Sequence, residues 1–180
     1  MEIPDYQTLM LPFLKFLADG KEYHIREVIE HLSQVYHLTE KQRNELLPSG
    51  RQPIIDNRVG WARTYLKKAG LLDSVRRGYF KITERGLEVL HKNTKKIDVK
   101  FLEQFPEFVE FRTIKKEQDD KKVDMIDENQ TPDELMSKGH ELINANLAQE
   151  LLTKLKEEHF SVLETIVLRL LSNMGYGEVR

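Results

Sequence analysis

The chain has 180 residues and a formal net charge of −2, with 39% hydrophobic and 32% charged residues and no cysteine. These values fit one medium domain, or a compact domain with a helical appendage. The lack of cysteine excludes a disulfide framework, a thiolate nucleophile and a thiolate metal site. No apolar run has the length of a membrane span, and the N-terminus lacks a basic leader before an apolar core. We therefore expect a cytoplasmic protein with no membrane partner.

Charge is divided unevenly along the chain. Residues 1–100 contain 18 Lys and Arg against 13 Asp and Glu, a balance of +5, whereas residues 101–180 contain 10 against 17, a balance of −7. Within the first part, residues 51–100 hold 13 basic and 5 acidic residues, a balance of +8. Such a local basic block favours a polyanionic partner, and a solvated basic face is the alternative.

The first predicted elements are three helices. Apolar residues at helical spacing predict helices over 6–18 and 25–36. Thr39 is a suitable N-cap for a short third helix that ends near Leu47. "RQPII", residues 51–55, follows as a short extended segment.

A basic helix is predicted next, over about 58–69, with Asp56 or Asn57 as its cap and Gly70 at its end. Its buried stripe consists of Val59, Ala62, Leu66 and Ala69. The opposite face carries Gly60, Arg63, Thr64 and Lys67, with Lys68 at the edge. Trp61 and Tyr65 are either core-border residues or stacking platforms for bases. Gly60 is explained either by close approach of DNA or by tight packing against residues 51–55.

A hairpin follows this helix. "LLDSV" and "YFKIT" each suit a strand, "RRG" joins them as a tight turn, and Thr83 caps a further helix. Three helices, a short strand, a helix and a hairpin form the order of a winged helix-turn-helix, which predicts a mainly α (α+β) fold with a C-terminal helical extension. In that arrangement the second helix of the turn motif enters the major groove, and the wing lies over phosphates. Arg76 and Arg77 occupy the wing tip.

The remaining residues predict a strap, a linker and two helices. "FLEQFPEFVEFR" is expected to be an extended strap that packs back on the first domain, and residues 115–130 form a linker. Thr131 starts a helix over about 132–157, and a strongly apolar last helix stops at Gly175. The expected organisation is a domain over 1–114, the linker, and a helical segment over 131–180.

Several of these stretches resemble one protein family. "ELLPSGRQPIIDNRVGWARTYLKKAGLL", "RRGYFKITERG" and "FPEFVEFR" are similar to the N-terminal domain of the Mrr family of modification-dependent restriction endonucleases, over about residues 1–114. "LETIVLRLLSNMGYG" resembles the first helix of the family's catalytic domain. The resemblance implies a DNA-binding winged helix, followed by the start of a metal-dependent nuclease that cuts DNA bearing methylated bases.

The chemistry that this resemblance implies is incomplete in the chain. The family's nuclease needs an Asp and a later Asp/Glu/Gln-x-Lys to hold Mg²⁺, and Glu164 alone matches the glutamate of its first helix, as a candidate accessory carboxylate. We therefore expect no catalytic residue, no metal site and no cofactor in this chain, and no DNA cleavage by the chain alone. Asp98-Val99-Lys100, Asp119-Asp120-Lys121 and Pro132-Asp133 are interpreted as chance matches, and the six histidines lack zinc spacing.

The sequence thus supports two functions. The first is a DNA-targeting part of a restriction endonuclease, with double-stranded DNA as the partner. The second is a winged-helix module for protein–protein contact or transcriptional regulation, in which the C-terminal helices form a homodimer surface. The predicted DNA-binding residues are Asn57, Arg58, Gly60, Arg63, Thr64, Lys67, Lys68, Arg76, Arg77 and Lys81.

Overall fold

A computed structural model of the chain describes residues 2–117 and 129–176. The fold divides into two compact units, Met1–Ser137 and Lys138–Arg180. The divide lies later than the predicted boundaries, because residues 129–134 hydrogen-bond back to the first unit. Much of the predicted linker, including Asp119-Asp120-Lys121, lies outside the described residues.

The first unit begins with helices packed around a shared core. They are α1 (Tyr6–Phe16), α2 (Ile25–Val35), α3 (Glu40–Arg43) and α4 (Ile54–Lys68), with strand β1 (Tyr23–His24) directly before α2. The core side chains include Leu9, Phe13, Leu32, Val59 and Leu66, all fully buried. The predicted first three helices are confirmed, although the third is shorter than expected.

Helix α4 begins four residues earlier than predicted. Its N-cap is Pro53, which has extended backbone (φ −60°, ψ 143°) and provides no side-chain cap. Proline has a fixed φ and no N–H to satisfy, so the helix can start directly after it. The prediction that Asp56 or Asn57 caps this helix is therefore wrong, because both residues lie inside its first turn.

A three-stranded antiparallel sheet completes the central part of the unit. Strands β2 (Leu72–Arg76) and β3 (Tyr79–Ile82) form the predicted hairpin, and β1 pairs with β3, which gives the order β1-β3-β2. Gly78 in the turn has φ +82°, and a Cβ there would lie 2.8 Å from the His24 ring, so this position requires glycine. Helix α5 (Glu84–His91) follows, capped by Thr83 as predicted. The α+β class is confirmed, while the finer assignment to a winged helix stays a prediction.

The predicted extended strap is helical. Helices α6 (Val99–Leu102) and α7 (Pro106–Glu117) take its place, so the expectation of extended backbone is wrong. Asp98 caps α6 by accepting a hydrogen bond from the Phe101 N–H, and Pro106 suits the first position of α7. The segment does pack back on the first unit, since Phe108 is fully buried with its ring centroid 5.4 Å from that of Tyr65.

The second unit consists of helical segments with little burial. Helix α8 (Pro132–Glu157) begins in the first unit with the predicted cap at Thr131, and α9 (Phe160–Asn173) ends before Gly175 (φ +84°). Large apolar side chains on both helices are exposed. Within the described ranges, every helix falls short of the length or the apolar content needed to cross a membrane.

Candidate nucleic-acid interface

One face of helix α4 carries partly exposed residues and one exposed lysine. At about 100° per residue this face spans an arc of about 100°. We call it the α4 strip, and its residues are Asp56, Gly60, Arg63, Thr64 and Lys67. Its centre lies about 120° around the helix from that of the buried stripe of Val59, Ala62 and Leu66, so the strip flanks the stripe where an opposite position was expected.

The basic side chains of the strip differ in how they are held. Lys67 is exposed. Arg63 is half-buried with its guanidinium carbon 5.2 Å from the centroid of the Phe80 ring on β3, and burial lowers the pKa of this guanidinium from its usual value. An arginine remains charged in proteins, so Arg63 presents a positive charge that the ring holds in place. The hairpin therefore borders the strip on the side of Arg63.

The start of α8 borders the strip on its other side. Thr131 is fully buried and donates a hydrogen bond to the Asn57 side-chain oxygen at 2.6 Å. One carboxylate oxygen of Asp133 accepts hydrogen bonds from Asn57 Nδ2 at 2.7 Å and from the Trp61 indole at 2.9 Å. We call this contact between residues 131–134 and α4 the joint.

An ion pair extends the joint along α4. Arg58 donates to Glu134 Oε1 from Nε at 2.8 Å, and its Nη2 lies 2.7 Å from the same oxygen. The guanidinium also donates to the backbone carbonyls of Ile3 and Pro4. The side chains of Arg58 and Glu134 are 19% and 11% exposed, so this ion pair is largely shielded from solvent.

The contacts of the joint determine whether the side chains of Asn57, Arg58 and Trp61 are open to a ligand. Asn57 is 4% exposed and Arg58 is committed to Glu134, so in this arrangement neither side chain is open to a ligand. Trp61 packs edge-on against Tyr65 and binds Asp133, which is the core-border role rather than a free stacking platform. Lys68 is exposed beyond the strip, with its ammonium 4.9 Å from the Phe111 ring centroid.

The hairpin carries the other predicted basic residues. Arg76 lies flat against Tyr79, with its guanidinium carbon 3.8 Å from the ring centroid and its Nε 3.7 Å from a Glu22 carboxylate oxygen. Arg77 in the turn and Lys81 on β3 are exposed. The structure thus places an uncovered basic hairpin beside the α4 strip.

Two of the acidic residues considered as metal ligands, Asp98 and Asp133, form contacts within the protein. Asp98 caps α6 and lies 3.3 Å from Lys96, and the Phe101 N–H is the main cause that lowers its pKa. Asp133 belongs to the joint, and Glu164 is exposed on α9. Across residues 2–117 and 129–176, no three His, Asp or Glu side chains form a cluster suited to a metal ion.

Sequence reasoning missed two features of this region. Asp56 was one of two residues, with Asn57, expected to cap the helix, although counting back one turn from Gly60 would have placed it on the strip. The joint connects pairs of residues that are separated by 74 or 76 positions in the sequence. A local sequence pattern cannot predict a contact over such a distance. The capping motif at Thr131 predicted the helix start but not where that start docks.

The chain is similar to known proteins in two comparisons. Residues 6–92 match the family model of the Mrr N-terminal domain. The chain is similar to the type IV methyl-directed restriction enzyme EcoKMrr of Escherichia coli (strain K12), with 30% identity over 195 residues. This match covers 98% of the chain and 61% of EcoKMrr, so the chain spans about three fifths of the length of that curated relative. No solved structure matches the chain.

Proposed function

The chain belongs to the Mrr family, and from this premise we propose that its first unit is a winged helix-turn-helix module that binds double-stranded DNA. In this proposal α4 is the recognition helix and enters the major groove, and the β2–β3 hairpin is the wing. The element order and the sheet order β1-β3-β2 support the assignment.

One observation carries the proposal. The partly exposed α4 strip lies between the joint and the hairpin. Arg63 and Lys67 lie on the strip, and Arg76 and Arg77 add positive charge on the hairpin. Guanidinium and ammonium groups on such a surface are suited to phosphate oxygens, which supply most of the affinity in protein–DNA complexes. Asn57 and Arg58 leave the list of proposed contacts, because the joint occupies them.

The wider role proposed for the chain is that of the DNA-targeting part of a restriction system acting on methylated DNA in the cytoplasm. EcoKMrr is a methyl-directed restriction enzyme, and the similarity of the chain to it supports this role. Mg²⁺ is the cofactor we propose for the nuclease of the complete family member, and we assign no ligand for it to this chain.

The test replaces the two basic side chains of the strip, half-buried Arg63 and exposed Lys67. Arg63→Gln with Lys67→Gln removes two positive charges, including the guanidinium that lies over the Phe80 ring, and leaves a neutral polar side chain at each position. We expect duplex affinity to fall by about 1–3 kcal/mol, with a shallower dependence on salt. Lys15→Gln with Lys41→Gln is the matched control, since both lysines are exposed elsewhere on the unit.

The outcome separates the two functions that the sequence left open. If both double variants lose the same duplex affinity, the net charge of the chain and not the strip determines binding. If neither variant loses affinity, the strip is excluded as the DNA-binding surface. Wild-type binding to duplex that ignores salt, or no binding at all, would favour the protein–protein module.

A further inference from the structure

One acidic side chain lies within the basic α4 strip. Asp56 is half-buried in the first turn of α4, and burial raises the pKa of its carboxyl above the ordinary value. Arg26, in the first turn of α2, attracts it electrostatically. Among the residues described, nothing forms a hydrogen bond to the Asp56 carboxylate or an ion pair with it within 4 Å. Its acceptor oxygens are thus available to a ligand.

Gly60 lies one turn after Asp56 on the same strip. Glycine inside a helix costs about 1 kcal/mol relative to alanine. A Cβ at Gly60 would meet no atom within 4 Å, so the alternative of tight packing against residues 51–55 does not explain this glycine. Its backbone is also helical, so no special φ requires it. The helix surface is therefore flat and unobstructed here, which would let a partner outside the first unit approach the backbone closely.

The chemistry of DNA restricts what a carboxylate can contact. Phosphate oxygens repel it, so a carboxylate on a DNA-facing surface has to meet a hydrogen-bond donor. In the major groove the donors are exocyclic amino groups, N4 of cytosine and N6 of adenine. Aspartate is the shortest acidic side chain, so it reaches a base edge only where the helix backbone comes close, and a glycine one turn away permits this.

We propose, resting on the DNA-binding function above, that Asp56 accepts a hydrogen bond from the exocyclic amino group of a cytosine or adenine in the major groove, and that Gly60 gives α4 the close approach this contact needs. Arg63 and Lys67 lie about one and two turns after Gly60 on the strip. In this arrangement their side chains point toward the phosphates. Asp56 is the specificity-determining residue of the interface, whereas the arginines and lysines supply affinity.

A structural role for Asp56 makes a different prediction. An acid in the first turn of a helix interacts favourably with the helix dipole. If that were its whole role, removing the charge would weaken the fold slightly and strengthen binding to every duplex alike, because one repulsion of phosphate disappears.

The experiment measures base preference with the full chain. Wild type, Asp56→Ala, Asp56→Asn and Glu84→Ala are each used to select binders from a randomised duplex library, and affinities are then measured for the selected sequence and an unrelated one. Glu84 is an exposed acid in the first turn of α5, so Glu84→Ala removes the same charge outside the strip. Thermal unfolding of each variant checks that the fold is intact.

We expect Asp56→Ala to lose roughly 10- to 100-fold affinity for the selected duplex and none for the unrelated one, while Glu84→Ala keeps the wild-type preference. Asp56→Asn should move the preferred base toward adenine, since an amide pairs with N6 and N7 of adenine. A selected sequence identical for wild type and Asp56→Ala, or wild-type binding without any preference, overturns the role of Asp56 and leaves DNA binding intact. Absence of duplex binding by wild type overturns the proposed function itself.

Discussion

At the scale of single residues, Gly60 and Gly139 can be compared as two helical glycines in similar surroundings. Both lie inside long helices, and a Cβ at either would meet no atom within 4 Å. Gly60 is on the α4 strip, whereas Gly139 is on α8 in the second unit. The two positions therefore share the cost of a helical glycine but differ in their proposed relation to DNA.

We predict that Gly60→Ala raises the free energy of unfolding of the first unit by about 0.5–1 kcal/mol, because alanine loses less backbone entropy and nothing obstructs its methyl group. The same variant should weaken duplex binding, because the methyl group keeps the base edges away from α4. Thermal unfolding and a fluorescence-anisotropy titration with duplex DNA measure the two effects. Gly139→Ala should leave affinity unchanged, and a Gly60→Ala variant that binds as tightly as wild type would contradict the close approach.

At the scale of elements, the joint fastens the start of α8 to α4. One carboxylate oxygen of Asp133 accepts hydrogen bonds from Asn57 and Trp61. Thr131 donates to the side-chain oxygen of Asn57, and Glu134 forms the ion pair with Arg58. Thr131 and Glu134 also form a capping box, since Thr131 Oγ1 accepts from the Glu134 N–H and Glu134 Oε2 accepts from the Thr131 N–H. Glu134 therefore stabilises the helix start and the contact with α4 together.

Asp133→Ala should destabilise the joint by about 1–3 kcal/mol, because the buried Asn57 amide loses its acceptor. Trp61 is the single tryptophan of the chain and donates to the same carboxylate, so its fluorescence reports on the joint directly. We expect a lower midpoint of urea unfolding followed at the tryptophan emission. Asp133→Asn keeps an oxygen acceptor and should lose less, and an unchanged midpoint in Asp133→Ala would mean that the joint contributes no stability.

Elements defined by local patterns were predictable, and those defined by distant contacts were not. The periodicity of α1 and α2, the turn at Gly78 and the cap at Thr131 each depend on a few adjacent residues, and the structure confirms them. The start of α4 was misplaced because residue preference for caps favoured Asp56 over Pro53. The helical α7 was missed because its apolar residues were read as an extended strap, although Phe108 and Phe111 pack on Tyr65 at helical spacing.

The candidate interface was predictable in part for the same reason. Register along α4 placed Gly60, Arg63, Thr64 and Lys67 away from the buried stripe, and the structure leaves these four residues half-buried or exposed, because the buried face depends on the helical period. Asn57 is polar and Arg58 is basic, as are residues of the strip, and only the tertiary contact with residues 131–134 distinguishes these two from the strip.

At the scale of the whole molecule, the two units differ in how completely they bury their apolar residues. The first unit has a continuous core, in which all three of Leu14, Leu71 and Leu102 are fully buried. On α9 of the second unit, Phe160 is 66% exposed and Leu168 is 68% exposed. Soluble proteins seldom expose large contiguous apolar surfaces, and such surfaces commonly mark interaction sites. Residues 138–180 carry 5 Lys and Arg against 6 Asp and Glu, a balance of −1, so little charge opposes contact between copies.

We predict that the chain self-associates through the helices of its second unit. Phe160→Glu with Leu168→Glu should abolish association. A contact between copies would have to desolvate the introduced carboxylates, and the carboxylates of the two copies would repel each other. Sedimentation velocity over a range of protein concentrations measures the effect. Val75→Glu with Val109→Glu introduces the same charge at exposed positions of the first unit and should associate like wild type. A wild-type chain that sediments as a monomer at every concentration, or a control that dissociates as fully as the α9 variant, would rule out this surface. Tryptophan emission should be the same in wild type and the α9 variant, because Trp61 reports on the first unit, where the joint remains intact.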